Sequence, residues 1–411
     1  MAQDYHPYLE RVYPGSSWSI DPISGGDVNK TIRLRKVSGD TEVDSLILKH
    51  AKSYFMDDGR RWPFSLKRQD MEKSILQLWE PGKPLHRSRD VYPWHLPKCL
   101  RHDTGAEKTL GLTQADEEAS VLLIQDLGPI SGIYTCLETW ASTPYTSELV
   151  SQVTAIGKSL GTSLAHLHSA KTVAALQSAP EIYETLSQSL TDELVWKVMI
   201  NPLPNYLQHL PDAEELCRRV TQDIKTPSPA LSSVLCHGDC HNGNVVLPAR
   251  KPQPGETVAP VVVDWEFAHL HGRGVNGDAA EFTAGIHVHL IKARTENKPL
   301  AELLRALLQG FCAGYRDTAA LRCGDGAEER DVNLELMRSA FIFHGTEMIS
   351  CAYEYQKESK AFEEVFAVGL WYLRMAGRDG DEFKQSIHSE GLNKLVEEED
   401  EGAITSLFSR V

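Results

Sequence analysis

Hydrophobic and polar positions change rhythm about a third of the way along the chain. Before that point the period is two. In Thr31-Ile32-Arg33-Leu34-Arg35 apolar residues alternate with polar ones, which predicts a half-buried strand, and Ser45-Leu46-Ile47-Leu48-Lys49 reads as a second. The run Val121-Leu122-Leu123-Ile124 predicts a buried strand, and Gln125-Asp126-Leu127-Gly128-Pro129 after it is a natural break. One helix interrupts this region. Met71, Ile75, Leu78 and Trp79 fall at helical spacing, predicting a helix over 67–80 with one buried face. Residues 81–118 are rich in Pro, Gly, Arg and His and read as a long loop or insertion, with a short strand near Leu100.

After the break the pattern turns helical. Leu149, Val153, Ile156, Leu160, Leu164 and Leu167 keep a three-four spacing, the signature of one long core helix. Further helices are predicted near 180–200, 278–293, 298–318 and 328–355. Two short β pieces, Val234-Leu235 and Val261-Val262-Val263, interrupt them, and the acidic run Glu397 to Glu401 reads as a solvated tail. The fold class is therefore α+β: a small β-rich lobe over 1–126, carrying the 81–118 insertion, then a large, mainly helical lobe over 127–411. That is the layout of a two-lobed, protein-kinase-like fold.

Composition narrows the partners. A net charge of −15 over 411 residues argues against an extended nucleic-acid surface, which needs clustered Lys and Arg. It does not oppose nucleotide binding, and it tilts the choice of small substrate toward cations. The first residues lack the basic and apolar segments of a signal peptide, and no apolar run approaches the roughly 20 residues of a membrane span. The eight cysteines are scattered without a CxxC pair, so reduced thiols and a cytoplasmic location are expected.

The chemistry concentrates in Cys236-His237-Gly238-Asp239-Cys240-His241-Asn242-Gly243-Asn244. It contains H-G-D-x-H-x-x-N, with Asp239 five residues before Asn244, the separation that protein kinases use for their catalytic Asp and metal-binding Asn. Twenty residues on, the apolar Val261-Val262-Val263 ends in Asp264-Trp265-Glu266. A strand ending in a carboxylate is how kinases present magnesium, which prefers hard oxygen ligands. Upstream, Lys49 closes a strand as a phosphate-binding lysine does, and Glu72 in the following helix can pair with it. The turn Ser24-Gly25-Gly26-Asp27-Val28-Asn29 can bring backbone amides close to phosphates.

These residues carry a resemblance. His237, Gly238, Asp239, His241 and Asn244 match the catalytic signature of the aminoglycoside phosphotransferase and choline kinase superfamily. Asp264-Trp265-Glu266-Phe267-Ala268, the 24–29 turn, Leu46-Ile47-Leu48-Lys49-His50-Ala51 and Gln125-Asp126-Leu127-Gly128 are similar to methylthioribose kinase-like enzymes, including the fungal hydroxytryptamine kinases. The helix holding Leu160-Gly161 and Leu164-Ala165-His166-Leu167-His168 is similar to one that precedes the catalytic loop in these proteins.

The resemblance implies ATP and Mg2+ as cofactors and the hydroxyl of a small molecule as acceptor. It implies Asp239 as base, and Asn244, Asp264 and Glu266 as magnesium ligands. It places Lys49 on the α- and β-phosphates, held by Glu72, with the turn at Gly25, Gly26 and Asn29 nearby. Gln125, Asp126 and Leu127 would receive adenine, and His237 and His241 would brace the loop. Methylthioribose kinases also suggest a homodimer. The segment from Asp264 to Asp278 is slightly longer than their usual spacing.

Other readings compete. Cys236, His237, Cys240 and His241 are all zinc-ligand types, but they crowd into six positions instead of two spaced pairs. His-x-Asp-x-His suggests a metal-dependent hydrolase, yet no further ligand cluster completes it. His269 and His271 read as a solvated loop, and Trp265 as packing. A non-catalytic ATP-binding module would have lost the base or a metal ligand. A protein kinase would carry D-F-G and A-P-E segments, which are missing here.

Overall fold

A computed structural model describes residues 4–23, 29–57, 59–142, 146–188, 196–225, 234–319, 327–356, 359–378, 381–383, 404 and 407–408. The chain forms two compact units. The smaller comprises Met1–Lys83, Leu96–Gly128 and Asp264–Phe267; the larger comprises Pro84–His95, Pro129–Val263 and Ala268–Val411. The turn residues Gly25 and Gly26 and the acidic tail from Glu397 to Glu401 lie outside the described residues.

The smaller unit contains α1 (His6–Val12), β1 (Ser17–Pro22), β2 (Lys30–Ser38), β3 (Ser45–Lys52), β4 (Tyr54–Asp57), β5 (Arg60–Pro63), α2 (Lys67–Gln77), β6 (Cys99–Ala106), α3 (Glu107–Leu110) and β7 (Glu118–Gln125). Five strands form an antiparallel sheet in the order β1-β2-β3-β7-β6, while β4 and β5 make a separate hairpin. Register follows the period-two pattern. Ile32 pairs with Leu48 and Leu34 with Leu46, which aligns the apolar positions on one face. There they pack with Tyr5, Tyr8 and Leu9 at the amino-terminal end, and with Leu110 and Leu123. Lys49 lies between Leu48 and His50, so its side chain points to the other face, where α2 meets it.

The 81–118 region holds more regular structure than a loop with a short strand near Leu100. Residues 99–106 form an edge strand paired with β7 along its length. Arg101, His102, Asp103 and Thr104 offer no apolar alternation, so main-chain pairing defines the strand and leaves no hydrophobic signal. Residues Pro84–His95 belong to the larger unit, where Tyr92 and Trp94 are buried and His95 pairs with Val261.

The larger unit contains β8 (Ile130–Gly132), α4 (Ile133–Ala141), α5 (Ser147–Leu167), α6 (Ala170–Leu176), α7 (Pro180–Leu186), α8 (Leu203–Leu207) and α9 (Ala213–Lys225). There follow β9 (Val234–Cys236), β10 (Val245–Pro248), β11 (Val261–Val262), β12 (His269–Gly272), α10 (Ala279–Glu296), α11 (Lys298–Ala319), α12 (Ala327–Cys351) and α13 (Phe362–Met375). Strands β11-β10-β8 and β12-β9 form two small antiparallel sheets. The leucine stripe of α5 is buried as its spacing predicts.

Helices α5 and α11 approach until their backbones touch. A Cβ on Gly157 or Gly161 would overlap the carbonyl oxygens of Leu307 or Phe311, and one on Gly310 or Gly314 those of Thr154 or Lys158. A methyl group there must push the helices apart. Gly161→Ala is expected to lower stability by about 1–3 kcal/mol, read as a lower urea midpoint. The exposed Ser151→Ala on the same helix should change it by less than about 0.5 kcal/mol.

Candidate active-site residues in each unit

In the smaller unit Lys49 is the centre. It is 6% exposed, and its Nζ donates to Glu72 Oε2 at 2.5 Å and to Asp264 Oδ1 at 2.5 Å. Gln69 of α2 holds the strand from behind, donating from Nε2 to Lys49 O at 3.2 Å. Burial opposes the charge on Lys49, but the carboxylates of Asp264, Glu72 and Glu266 outweigh it and push its pKa up. Glu72 is buried too, and burial raises its pKa, with Lys49 pulling the other way. Lys49 is therefore an ammonium group held ready by acids on two segments.

Asp264 has φ of +66°, a left-handed backbone that Asp tolerates better than most residues. Such conformations concentrate at functional sites. Two residues on stands Glu266. The side chain is buried. Its Oε2 accepts from Asn29 Nδ2 at 2.7 Å and pairs with Arg68 Nε at 3.2 Å. Burial, then the charge of Asp264, raises its pKa to about 7.

At the end of β7, Asp126 accepts from the N–H of Gly128 at 2.9 Å and pairs with Arg33 Nε at 3.0 Å. Gln125 donates its N–H to Lys98 O at 2.9 Å and accepts from the Lys98 N–H at 3.3 Å. The segment expected to receive adenine is thus latched at Gln125 and Asp126, with Leu127 between Asp126 and Gly128.

In the larger unit the loop after β9 carries Asp239. Asn244 Nδ2 donates to Asp239 O at 2.9 Å and to its Oδ2 at 3.2 Å. His241 Nε2 lies 3.8 Å from the same Oδ2. His237 Nε2 donates to Val263 O at 3.0 Å, and the Val263 N–H donates to Asn244 O at 3.0 Å. The loop and the strand leading to Asp264 therefore hold each other.

Beneath the loop sit two carboxylates that the sequence pattern does not reveal. Asp278 accepts the N–H of His237 at 2.6 Å and of Gly238 at 3.0 Å, and Glu281 accepts that of Cys240 at 2.7 Å. Gly238 has φ of +80°, which glycine adopts without strain. His168 Nε2 donates to Asp278 at 3.0 Å, and Tyr315 Oη lies 2.8 Å from His168 Nδ1. Burial works against the charge on Asp278, but His168 and His237 hold its carboxyl below the usual range. The signals available in sequence were the His-x-His ending α5 and the first acid of α10, neither distinctive alone.

Further acids face Asp239. Burial raises the pKa of Glu281 well above normal, and the charges of Asp239 and Glu347 add to it. Burial pushes Glu347 up to about 7, with Glu354 and Asp239 contributing, although Cys351 Sγ donates to it at 3.5 Å. The folded pKa exceeds the unfolded one, so stability is full below pH 4.5 and declines as pH rises toward about 7. Glu347→Gln is expected to be more stable than wild type at pH 8 by about 1–3 kcal/mol. Urea melts at pH 8 and pH 4 check this, and the difference should vanish at pH 4.

The zinc reading finds no support in the arrangement of its four candidates. Cys236 Sγ lies 3.4 Å from His269 Nδ1, His237 bonds a carbonyl, and His241 Nδ1 accepts from the Gly243 N–H. Among the described residues, no group of three or more His, Cys, Asp or Glu is arranged to hold a metal ion. His269 and His271, expected in a solvated loop, lie in β12; His271 is exposed, whereas His269 contacts Cys236. Among the described residues no helix is long and apolar enough to cross a membrane.

A small antiparallel sheet unit and a mostly helical unit define a two-lobed, kinase-like fold. Residues 119–321 match the sequence profile of the phosphotransferase enzyme family. The match spans Asp239, Asn244, Asp264 and Asp278. No curated protein sequence matches the chain.

Among solved structures, it is similar to an ethanolamine kinase of Plasmodium vivax, with 14% identity over 88% of this chain and 82% of that one, and a TM-score of 0.41. A choline kinase of Cryptosporidium parvum has 10% identity, coverage of 93% and 95%, and a TM-score of 0.40. A Ralstonia eutropha protein assigned as an aminoglycoside phosphotransferase has 12% identity, coverage of 91% and 99%, and a TM-score of 0.45. At such low scores these likenesses carry no functional argument.

Proposed function

We propose that this protein is a kinase that uses ATP and magnesium to phosphorylate a hydroxyl group of a small molecule, in the manner of the methylthioribose kinase-like enzymes. The observation that carries this reading is Lys49, buried and charged between Glu72 and Asp264. A lysine so held is suited to the α- and β-phosphates of a nucleotide. Backbone groups around Gln125 to Leu127 receive the adenine.

Asp239 orients the acceptor hydroxyl and takes its proton as the oxygen bonds to the γ-phosphorus. The bond to the bridging oxygen breaks, and ADP leaves. Asn244 spends its Nδ2 on Asp239, so its amide oxygen is the group that serves a metal. Asp264 would likewise offer a carboxylate, and hard oxygens of this kind suit magnesium. When bound, magnesium neutralises charge on the transferring phosphoryl group. The net charge of −15 supports a cationic acceptor.

The test is transfer of labelled γ-phosphate from Mg-ATP into pooled small alcohols, sugars and amino alcohols, with products identified by mass. A labelled amino alcohol or amino sugar is expected. Folded protein that binds no Mg-ATP would overturn the reading.

A further inference from the structure

Glu266, Arg68 and Asn29 form a closed, buried polar triangle. Arg68 Nε pairs with Glu266 Oε2 at 3.2 Å, and Arg68 Nη2 donates to Asn29 Oδ1 at 3.1 Å. Asn29 Nδ2 donates to Glu266 Oε2 at 2.7 Å and closes the ring. The side chain of Arg68 has no solvent exposure. Its remaining donors go to main-chain carbonyls. Nη1 donates to Phe64 O at 3.2 Å and Ser65 O at 2.8 Å, and Nη2 to Lys52 O at 3.1 Å. The guanidinium carbon also lies 4.4 Å from the Phe64 ring centroid.

The position of each corner matters. Asn29 directly follows the glycine turn. Arg68 is in the first turn of α2, four residues before Glu72, which holds Lys49. Glu266 is two residues after Asp264. Three segments that each carry part of the proposed nucleotide site therefore meet on one guanidinium. Its planar fork fixes direction as well as distance, which a lysine ammonium cannot do. A charge pair that served folding alone would not need to join these three segments.

We infer that Asn29, Arg68 and Glu266 are positioning residues that lock Asp264 and the helix carrying Glu72 in the arrangement that receives magnesium-bound nucleotide, Glu266 acting through Arg68. The inference rests on the proposed nucleotide site and assigns Glu266 a different task from metal ligation. Partners that orient metal ligands typically cost about 10–100-fold in metal affinity when changed.

The experiment is calorimetric binding of ATP to the full chain, with magnesium and with a chelator in its place. Wild type, Arg68→Lys, Asn29→Ala, Glu266→Gln and the double variant Arg68→Lys/Glu266→Gln are compared, with thermal melts without nucleotide reporting on folding. Wild type should gain affinity from magnesium. Arg68→Lys should lose about ten-fold of that gain while binding metal-free ATP as wild type does, a split that simple loosening of the fold would not produce. The neutral Asn29→Ala keeps the ion pair, should fold even where Arg68→Lys does not, and should lose a smaller part of the same gain. The double variant should be no worse than the poorer single.

Full magnesium gain in both Arg68→Lys and Asn29→Ala would overturn the inference. So would additive losses in the double variant, because Glu266 would then act independently of Arg68. Absence of ATP binding by folded wild type would overturn the nucleotide site itself, and the inference with it.

Discussion

Asp239→Asn should reduce phosphoryl transfer by about 10²–10⁴-fold, the usual contribution of a positioned proton acceptor. Asparagine keeps the shape of the side chain and an oxygen to accept from Asn244 Nδ2, so the loop should stay folded. What it loses is the capacity to take a proton from the acceptor hydroxyl. Mg-ATP affinity should change little, because Lys49 with Glu72 and Asp264 forms a separate constellation. The measurement is a single-turnover rate beside a binding isotherm. An undiminished rate would remove Asp239 from the chemistry, and loss of both rate and binding would assign it to nucleotide binding.

The second large effect concerns a residue that touches no substrate. Asp278→Ala leaves the N–H groups of His237 and Gly238, and Nε2 of His168, without their acceptor in a buried place. Each such group costs about 1–3 kcal/mol, so a loss of about 3–5 kcal/mol is expected, in line with breaking a buried charged pair. Chemical denaturation gives the value. Asp278→Asn restores one acceptor oxygen and should recover part of the loss. Glu281→Gln, which keeps an acceptor for the Cys240 N–H, should cost less than either.

The sequence made parts of this molecule legible because some features have a period and others a spacing. Helix α5 could be read from its leucine stripe, and β2 from its alternation. Of edge strand β6 only a short piece near Leu100 could be read, since polar side chains on a one-sided strand carry no periodic signal. The pairing of Lys49 with Glu72 was open to anticipation because a lysine after an apolar strand run, followed by a helix that carries a glutamate, is a local pattern. Nothing local marks Arg68 among the charges of α2, or Asp278 among the acids ahead of α10. Their partners lie 198 and 41 residues away, Glu266 for Arg68 and His237 for Asp278. The same distance hides the partner of Glu266: its spacing from Asp264 suits metal ligation, and nothing local announces that Arg68 pairs with its Oε2.

The interleaving of the two units sets a timetable for synthesis. Residue 267, the last of the smaller unit, follows Gly128 by 139 positions. At about 5–20 residues per second, the ribosome takes roughly 7–28 s to cover that distance. Through this interval Arg68 has no Glu266, and Lys49 has only Glu72. The amino-terminal sheet waits, incomplete, until about half of the larger unit has been translated.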